Sequence, residues 1–234
     1  MADYAVISTE ALIERFQYAL DNHWGYIWGT AGEMWTAAKQ AKATREKTKL
    51  YGKQWIGHMV ADCSGLFSWA FKQLGGYMYH GSDTMYRSYC TSHGALKKGK
   101  RTDGQELKPG TAVFTYDDED GKYGHVGLFI GGDTVIEAAG TKQGVITSKV
   151  NGKWEFWGEL KGVNYTMEPV PEGYAVVTGK RVALRTAPTT QSKVITRVDT
   201  GKMVKVETPP PSEWEYVSYQ GQTGYMMKEF LKES

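Results

Sequence analysis

The pattern that most restricts how this chain can fold is a change of period along it. Before residue 76 two stretches carry apolar residues at helical spacing, and from Pro109 onward the apolar residues fall in short alternating runs between Gly and Asp. Leu12, Ile13, Phe16, Ala19 and Leu20 make one face of a helix over 8–20, which Ser8 or Thr9 can cap. Leu66, Phe67, Ala70, Phe71 and Leu74 mark a second helix, predicted to be buried on one side and ended by Gly75-Gly76. Glu33 to about Lys49 has helix formers but few apolar residues beyond Met34 and Trp35, which predicts a solvated surface helix. Residues 77–108 read as loop-rich, with the basic run Lys97–Arg101 as a solvated turn.

Strands are predicted over Thr111–Tyr116, His125–Ile130 and Thr134–Ala138, with Gly144–Val150 and Trp154–Leu160 as further candidates. A helical half followed by a strand half is an α+β domain. Two prolines and a glycine in Thr166–Gly173 interrupt both periodicities and predict a boundary. The expected organisation is a first domain over 1–166, a linker over 167–173 and a second domain over 174–234. Six short β segments in the second domain, Tyr174–Thr178, Val182–Arg185, Lys193–Val198, Met203–Glu207, Glu215–Tyr219 and Gly224–Met227, predict a small all-β barrel. Turns such as Thr200-Gly201-Lys202 separate them.

Composition narrows the function classes. A net charge of +2 over 234 residues gives no argument for nucleic acid as a partner. No run approaches the roughly 18 apolar residues of a membrane span. The first ten residues have neither a basic start nor an apolar stretch of signal-peptide length, which predicts synthesis in the cytoplasm without a signal peptide. Cys63 and Cys90 are then expected to be thiols, Cys90 an ordinary one. The absence of any C-x₂-C or H-x₃-H spacing argues against a metal site, and no cofactor motif is present.

The chemistry is expected around Asp62-Cys63-Ser64-Gly65. A cysteine attacks as its thiolate, so a nucleophile has to shift from an ordinary pKa of about 8.5. Placed in the first turn of its helix, Cys63 would meet unpaired backbone N–H groups that favour negative charge and can also stabilise an oxyanion. A base is then required. Of the five histidines, His23, His58, His80 and His93 have polar or loop-like surroundings, whereas His125 opens the alternating strand His125–Ile130. A third group should orient the imidazole. If the following loop is Gly131-Gly132-Asp133, then Ile130 pairs with Thr134 and Gly127 with Glu137. That register sets Glu137 on the His125 face, one diagonal step away. A two-residue loop would shift the register by one and turn Glu137 to the other face.

Asp62-Cys63-Ser64-Gly65-Leu66, His125–Gly131 and a polar residue twelve places after the histidine resemble the NlpC-type papain-like cysteine peptidases of bacterial cell walls. Tyr26-Ile27-Trp28-Gly29 and Lys108-Pro109-Gly110 are similar to two further stretches of that family, and the likeness covers roughly residues 10 to 165. It implies a papain-like domain in which a Cys-bearing helix packs on an antiparallel sheet. It implies hydrolysis of stem-peptide amides in peptidoglycan, often at the bond between D-γ-glutamate and the diamino acid. Cys63 would be the nucleophile, His125 the base and Glu137 the orienting group, with Tyr26, Asp62 and Ser64 meeting the amine of an N-terminal L-alanine. Residues 31–60 form an insertion that relatives often lack. Val182–Pro188, Lys193-Val194-Ile195 and Trp214-Glu215-Tyr216-Val217 resemble bacterial SH3-like domains that bind wall peptides. With no export signal in the first residues, the pair implies a phage or prophage endolysin acting at the wall after release, with a secreted bacterial autolysin as the rival expectation. An N-acetylmuramoyl-L-alanine amidase with the same triad and a non-catalytic wall-binding protein are the alternative expectations.

Overall fold

The computed structural model describes residues 6–165, 173–177, 181–199, 202–208 and 213–233. The chain forms two compact units, residues 1–165 and 166–234. Positions 167–172 of the expected linker, Thr178 and the Thr200-Gly201 step lie outside the described residues.

In the first unit β1 (Ile7–Ser8) leads into α1 (Thr9–Asp21), whose N–H of Ala11 is capped by the Ser8 hydroxyl. β2 (Ala31–Met34), the short helices α2 (Ala37–Ala41) and α3 (Glu46–Tyr51), and β3 (Met59–Ala61) follow. Then come α4 (Cys63–Gln73), α5 (Ser82–Tyr89), β4 (Cys90–Lys97) and β5 (Lys100–Arg101). The rest is strand: β6 (Ala112–Asp117), β7 (Lys122–Gly131), β8 (Thr134–Gly140), β9 (Gly144–Lys149), β10 (Phe156–Leu160) and β11 (Val163–Asn164).

Seven of these strands form one sheet in the order β5-β4-β10-β6-β7-β8-β9. Strand alternation gives it two apolar faces. Val126, Leu128, Ile136 and Ala138 pack with Leu12 and Phe16 of α1 and Leu66, Phe67 and Phe71 of α4. Val113, Phe129 and Val135 face the other way, with Trp154 and Trp157. The Cys-bearing helix therefore lies against the strands that carry His125 and Glu137, as the α+β reading requires. Among the described residues no helix is long and apolar enough to cross a membrane.

Three sequence readings are corrected. Residues 33–49 hold the end of β2 and two short helices in place of one surface helix. The segment 77–108 is less loop-rich than read: α5 buries Met85 and Tyr86, an apolar stripe hidden in the sequence because tyrosine supplies much of it. β4 is mostly exposed or half-buried, so it lacks the apolar alternation that would have announced it. Arg101, at the end of the basic run, is buried, with its guanidinium 3.5 Å over the Trp157 ring and 2.6 Å from Asp103.

The β7–β8 hairpin departs from both loop alternatives. Leu128 pairs with Ile136 and Phe129 with Val135, but Gly131, not Ile130, pairs with Thr134. The loop is two residues, Gly132-Asp133, and Ile130 is a bulge that restores the register a two-residue loop would have shifted. Gly131 and Gly132 have φ of 108° and 61°, values an L side chain resists. Glu137 consequently stays on the His125 face.

The second unit contains β12 (Tyr174–Val177), β13 (Val182–Arg185), β14 (Val194–Val198), β15 (Met203–Thr208), β16 (Trp214–Tyr219), β17 (Gln222–Met227) and β18 (Leu231–Glu233). They form an antiparallel sheet in the order β14-β13-β17-β16-β15-β12-β18 around Ala175, Val177, Val182, Leu184, Val198, Val204, Val217 and Met226.

On β7, a Cβ at Gly127 would sit 2.6 Å from the Val135 side chain and 2.8 Å from the Trp154 ring. Replacing Gly127 with Ala is expected to destabilise the first unit by ~1–3 kcal/mol through overpacking. Urea unfolding followed by tryptophan fluorescence measures this.

Candidate functional site

α4 starts at Cys63 because Asp62 caps it. Asp62 has extended backbone (φ −83°, ψ −179°), and its Oδ1 accepts the N–H of Gly65 at 2.7 Å. The same carboxylate takes the N–H of Gly29 on Oδ2 at 2.7 Å and the Ser64 hydroxyl on Oδ1 at 3.2 Å. His80 Nε2 lies 2.8 and 2.9 Å from its two oxygens. Asp62 and Ser64 are both 4% exposed, so their polar atoms are engaged inside the protein. Burial raises the pKa of the Asp62 carboxyl. The hydrogen bond from His80, the Gly65 and Gly29 N–H groups and the His80 charge outweigh it, so the pKa is lowered. His80 is raised in turn, chiefly by its hydrogen bond to Asp62.

The Cys63 thiol is pushed up to about 12, first by burial and then by the Asp62 charge. The N–H groups of Val126, Ser64 and Cys63 act in the opposite direction and do not overcome them. The sequence expectation that the helix start lowers this pKa is thus corrected: the local N–H effect is present, but burial beside a carboxylate is stronger. Burial and the neighbouring carboxylate favour the neutral thiol over the thiolate. Val126 follows His125 on β7 and shares one apolar cluster with Cys63, which brings that strand to the start of α4.

Tyr26 is half-buried, and its hydroxyl pKa is raised by burial and then by Cys63 and Asp62, which places the phenol in the neighbourhood of both. His125 Nε2 lies 2.6 Å from Glu137 Oε2, leaving Nδ1 for proton exchange with a thiol. Glu137 is 1% exposed. Its pKa drops to about 2 because hydrogen bonds from His125, Lys153 and Ser148 outweigh desolvation. Lys153 Nζ is 2.6 Å from the same oxygen. The Trp154 ring stacks on the imidazole, with centroids 5.5 Å apart and planes 15° from parallel. A buried carboxylate at the ring nitrogen and an indole on the ring face fix how His125 points.

All six residues singled out in the sequence therefore fall into two connected groups. Tyr26, Asp62, Cys63 and Ser64 gather at the α4 N-terminus, and His125 with Glu137 forms the strand pair. The sequence reading missed His80, Ser148, Lys153 and Trp154. Ser148 was within reach of register reasoning: Glu137 pairs with Ile146, so Ser148 is its diagonal neighbour on the same face. His80 gave no such signal, because a loop histidine meets Asp62 only through the tertiary fold. In the second unit Arg181, Arg185, Arg197, Trp214 and Phe230 line a pocket.

The chain matches the NlpC/P60 family over residues 26–159 and the bacterial SH3 domain over residues 180–232. Among solved structures it is similar to NlpC2 from Trichomonas vaginalis, at 17% identity and a TM-score of 0.43, covering 64% of this chain and 46% of that one. It is also similar to the peptidoglycan hydrolase RipB from Mycobacterium tuberculosis, at 21% identity and a TM-score of 0.43, covering 64% and 63% of the two chains. The P60 domain of an antigen from M. avium subspecies paratuberculosis gives 19% identity and a TM-score of 0.40, covering 64% and 96%. The matched part spans less than half of the T. vaginalis protein and under two thirds of RipB. Comparison with curated proteins returned no match.

The His80–Asp62 pair makes stability depend on pH with a definite sign. The raised His80 contributes fully below its unfolded value of 6.5 and loses that contribution as pH rises through its folded titration. The lowered Asp62 contributes above 3.8 and loses it as pH falls. Urea unfolding of wild type and His80→Gln across about pH 5 to 9 should show the gap between them widest at the acidic end and narrower at the alkaline end.

Proposed function

Since the chain belongs to the NlpC/P60 family, whose members are cysteine peptidases acting on peptidoglycan, and carries a bacterial SH3 domain, we propose that it hydrolyses stem-peptide amides of the bacterial wall. The observation that carries this reading is the His125–Glu137 hydrogen bond on β7 and β8, the strands against which the Cys63 helix packs. In the proposed reaction the substrate carbonyl enters above the first turn of α4. His125 Nδ1 takes the thiol proton as the sulfur attacks, so charge separates only when substrate is in place. The Gly65 N–H is already committed to Asp62, so the N–H groups of Cys63 and Ser64 are the donors left for the developing oxyanion. The protonated imidazole then gives its proton to the leaving amine, and a thioester remains on Cys63. Water, deprotonated by the same imidazole, releases the acid product and the thiol. Glu137 holds Nε2–H throughout and stabilises the imidazolium; with its pKa at about 2 it stays ionised over the working range.

The scissile bond in this reading is the D-γ-glutamyl–diamino acid amide. Tyr26 would receive the amine of the L-alanine that precedes the glutamyl residue. Asp62 would draw that amine by its buried charge while holding the Gly29 backbone in place, and Ser64 would support Asp62. The second unit would hold the enzyme on its polymer, which raises local substrate concentration without a new catalytic contact. Its arginine- and tryptophan-lined pocket is the surface proposed for that contact. A phage or prophage endolysin is the biological role this pairing suits.

Replacing Cys63 with Ala is expected to remove wall hydrolysis by at least ~10³-fold while sedimentation with purified walls is retained. Replacing Glu137 with Gln should lower kcat by about 10²–10⁴-fold, since the amide no longer holds the imidazole in its working tautomer. Mass analysis of products from purified peptidoglycan should show new amino termini on the diamino acid. Freed L-alanine amines would instead assign an amidase, and clearing by the Cys63 variant would contradict the catalytic reading.

A further inference from the structure

The insertion over 31–60 is a built element that returns to the site at both ends. β2 pairs with β3, from Ala31 opposite Ala61 to Met34 opposite Met59, so the insertion closes two residues before the nucleophile. Inside it, Trp35 Nε1 donates to Gln40 at 3.0 Å and Gln40 Nε2 donates to the Thr48 carbonyl at 3.1 Å. At its far side Trp55 Nε1 and Gln54 Nε2 donate to the Thr141 carbonyl at 2.6 and 2.8 Å, just past β8 and its Glu137. Such a frame can present a side chain to the cleft with little freedom.

That side chain is Arg45. It is exposed, and its guanidinium carbon lies 3.5 Å from the centroid of the Trp28 ring, which is itself 57% exposed. Trp28 precedes Gly29, whose N–H is bound to Asp62 at 2.7 Å, so the stacked pair stands one residue from the cap of the nucleophile helix. The Arg45 charge also acts on the Tyr26 hydroxyl, together with Cys63 and Asp62. Among the described residues no carboxylate pairs with Arg45. Stacking holds a guanidinium by its face and leaves its edge N–H groups pointing outward, a fork that matches a carboxylate.

We propose that Arg45, seated on Trp28, is a carboxylate subsite on the acyl side of the cleft. It rests on the hydrolase reading above. In that reading the acyl segment runs from an amine at Tyr26 to the carbonyl at Cys63. A γ-linked glutamyl residue there leaves its α-carboxylate as a branch close to the scissile carbonyl, and Arg45 is the cation on that side. The insertion then works as a specificity element that separates a free α-carboxylate from its amide.

The test compares two synthetic stem peptides, L-Ala-γ-D-Glu-L-Lys-D-Ala and the same peptide with the glutamyl α-carboxylate as an amide. Wild type is expected to favour the carboxylate form by about 10-fold in kcat/KM, the size of one charge-assisted contact. Arg45→Gln should bring the ratio of the two kcat/KM values close to one, and Arg45→Lys should restore part of it. A thermal melt checks that the variants are folded. Equal cleavage of both peptides by wild type, or a preference that survives in Arg45→Gln, overturns the subsite. Cleavage of neither by wild type overturns instead the hydrolase reading on which it rests.

Discussion

The buried carboxylate of Asp62 is the point on which the rest of the site depends. One side chain starts α4 by capping Gly65, fixes the Gly29 backbone beside Tyr26 and Trp28, and holds Ser64 and His80. The Asp62 backbone N–H donates in turn to the Thr30 carbonyl at 2.9 Å, so loop and helix are tied from both directions. Gly65 fits this arrangement because a Cβ there would run into that same carbonyl. A buried charge is tolerated only where hydrogen bonds replace its hydration, and here both oxygens are supplied.

This design has a consequence for reactivity. A negative charge next to a buried thiol raises the thiol pKa, so Asp62 positions Cys63 while opposing its ionisation. The second arm of the site answers that: Glu137, saturated by His125, Lys153 and Ser148, keeps a full negative charge behind the imidazole. One carboxylate favours the neutral thiol, and in the proposed reaction the other would prepare its base. In the proposed reaction the thiolate would form only within a substrate complex.

Much of this was legible in the residues. The 3.6-residue period found α1 and α4 and placed Cys63 in the first turn of α4, whereas the Asp62 cap of that helix emerged only from the fold. Glu137 was found through strand register, and its placement survived a wrong loop length because Ile130 bulges out and resets the pairing. Bulges are hard to read in advance, since they depend on glycine dihedrals that composition permits but does not demand. Other parts were hidden because their partners are distant in sequence. His80 meets Asp62 across 18 residues, and Lys153 meets Glu137 across 16, with no local periodicity linking either pair. The polar, helix-rich look of 33–49 concealed a cation stacked on Trp28, next to the Gly29 that Asp62 binds. Solvation was the sound default for such a segment, and only the fold shows Arg45 resting on Trp28.

The central claim is that acyl transfer runs through Cys63 under the control of the His125–Glu137 pair. Acid-quenched turnover of a stem peptide, followed by intact-protein and peptide-level mass spectrometry, tests it most directly. The account predicts a thioester adduct with the mass of the L-alanyl-γ-D-glutamyl segment on the peptide that contains Cys63, lost again as water completes the reaction. Hydrolysis that proceeds with no adduct on Cys63, or with the adduct on Cys90, would contradict it.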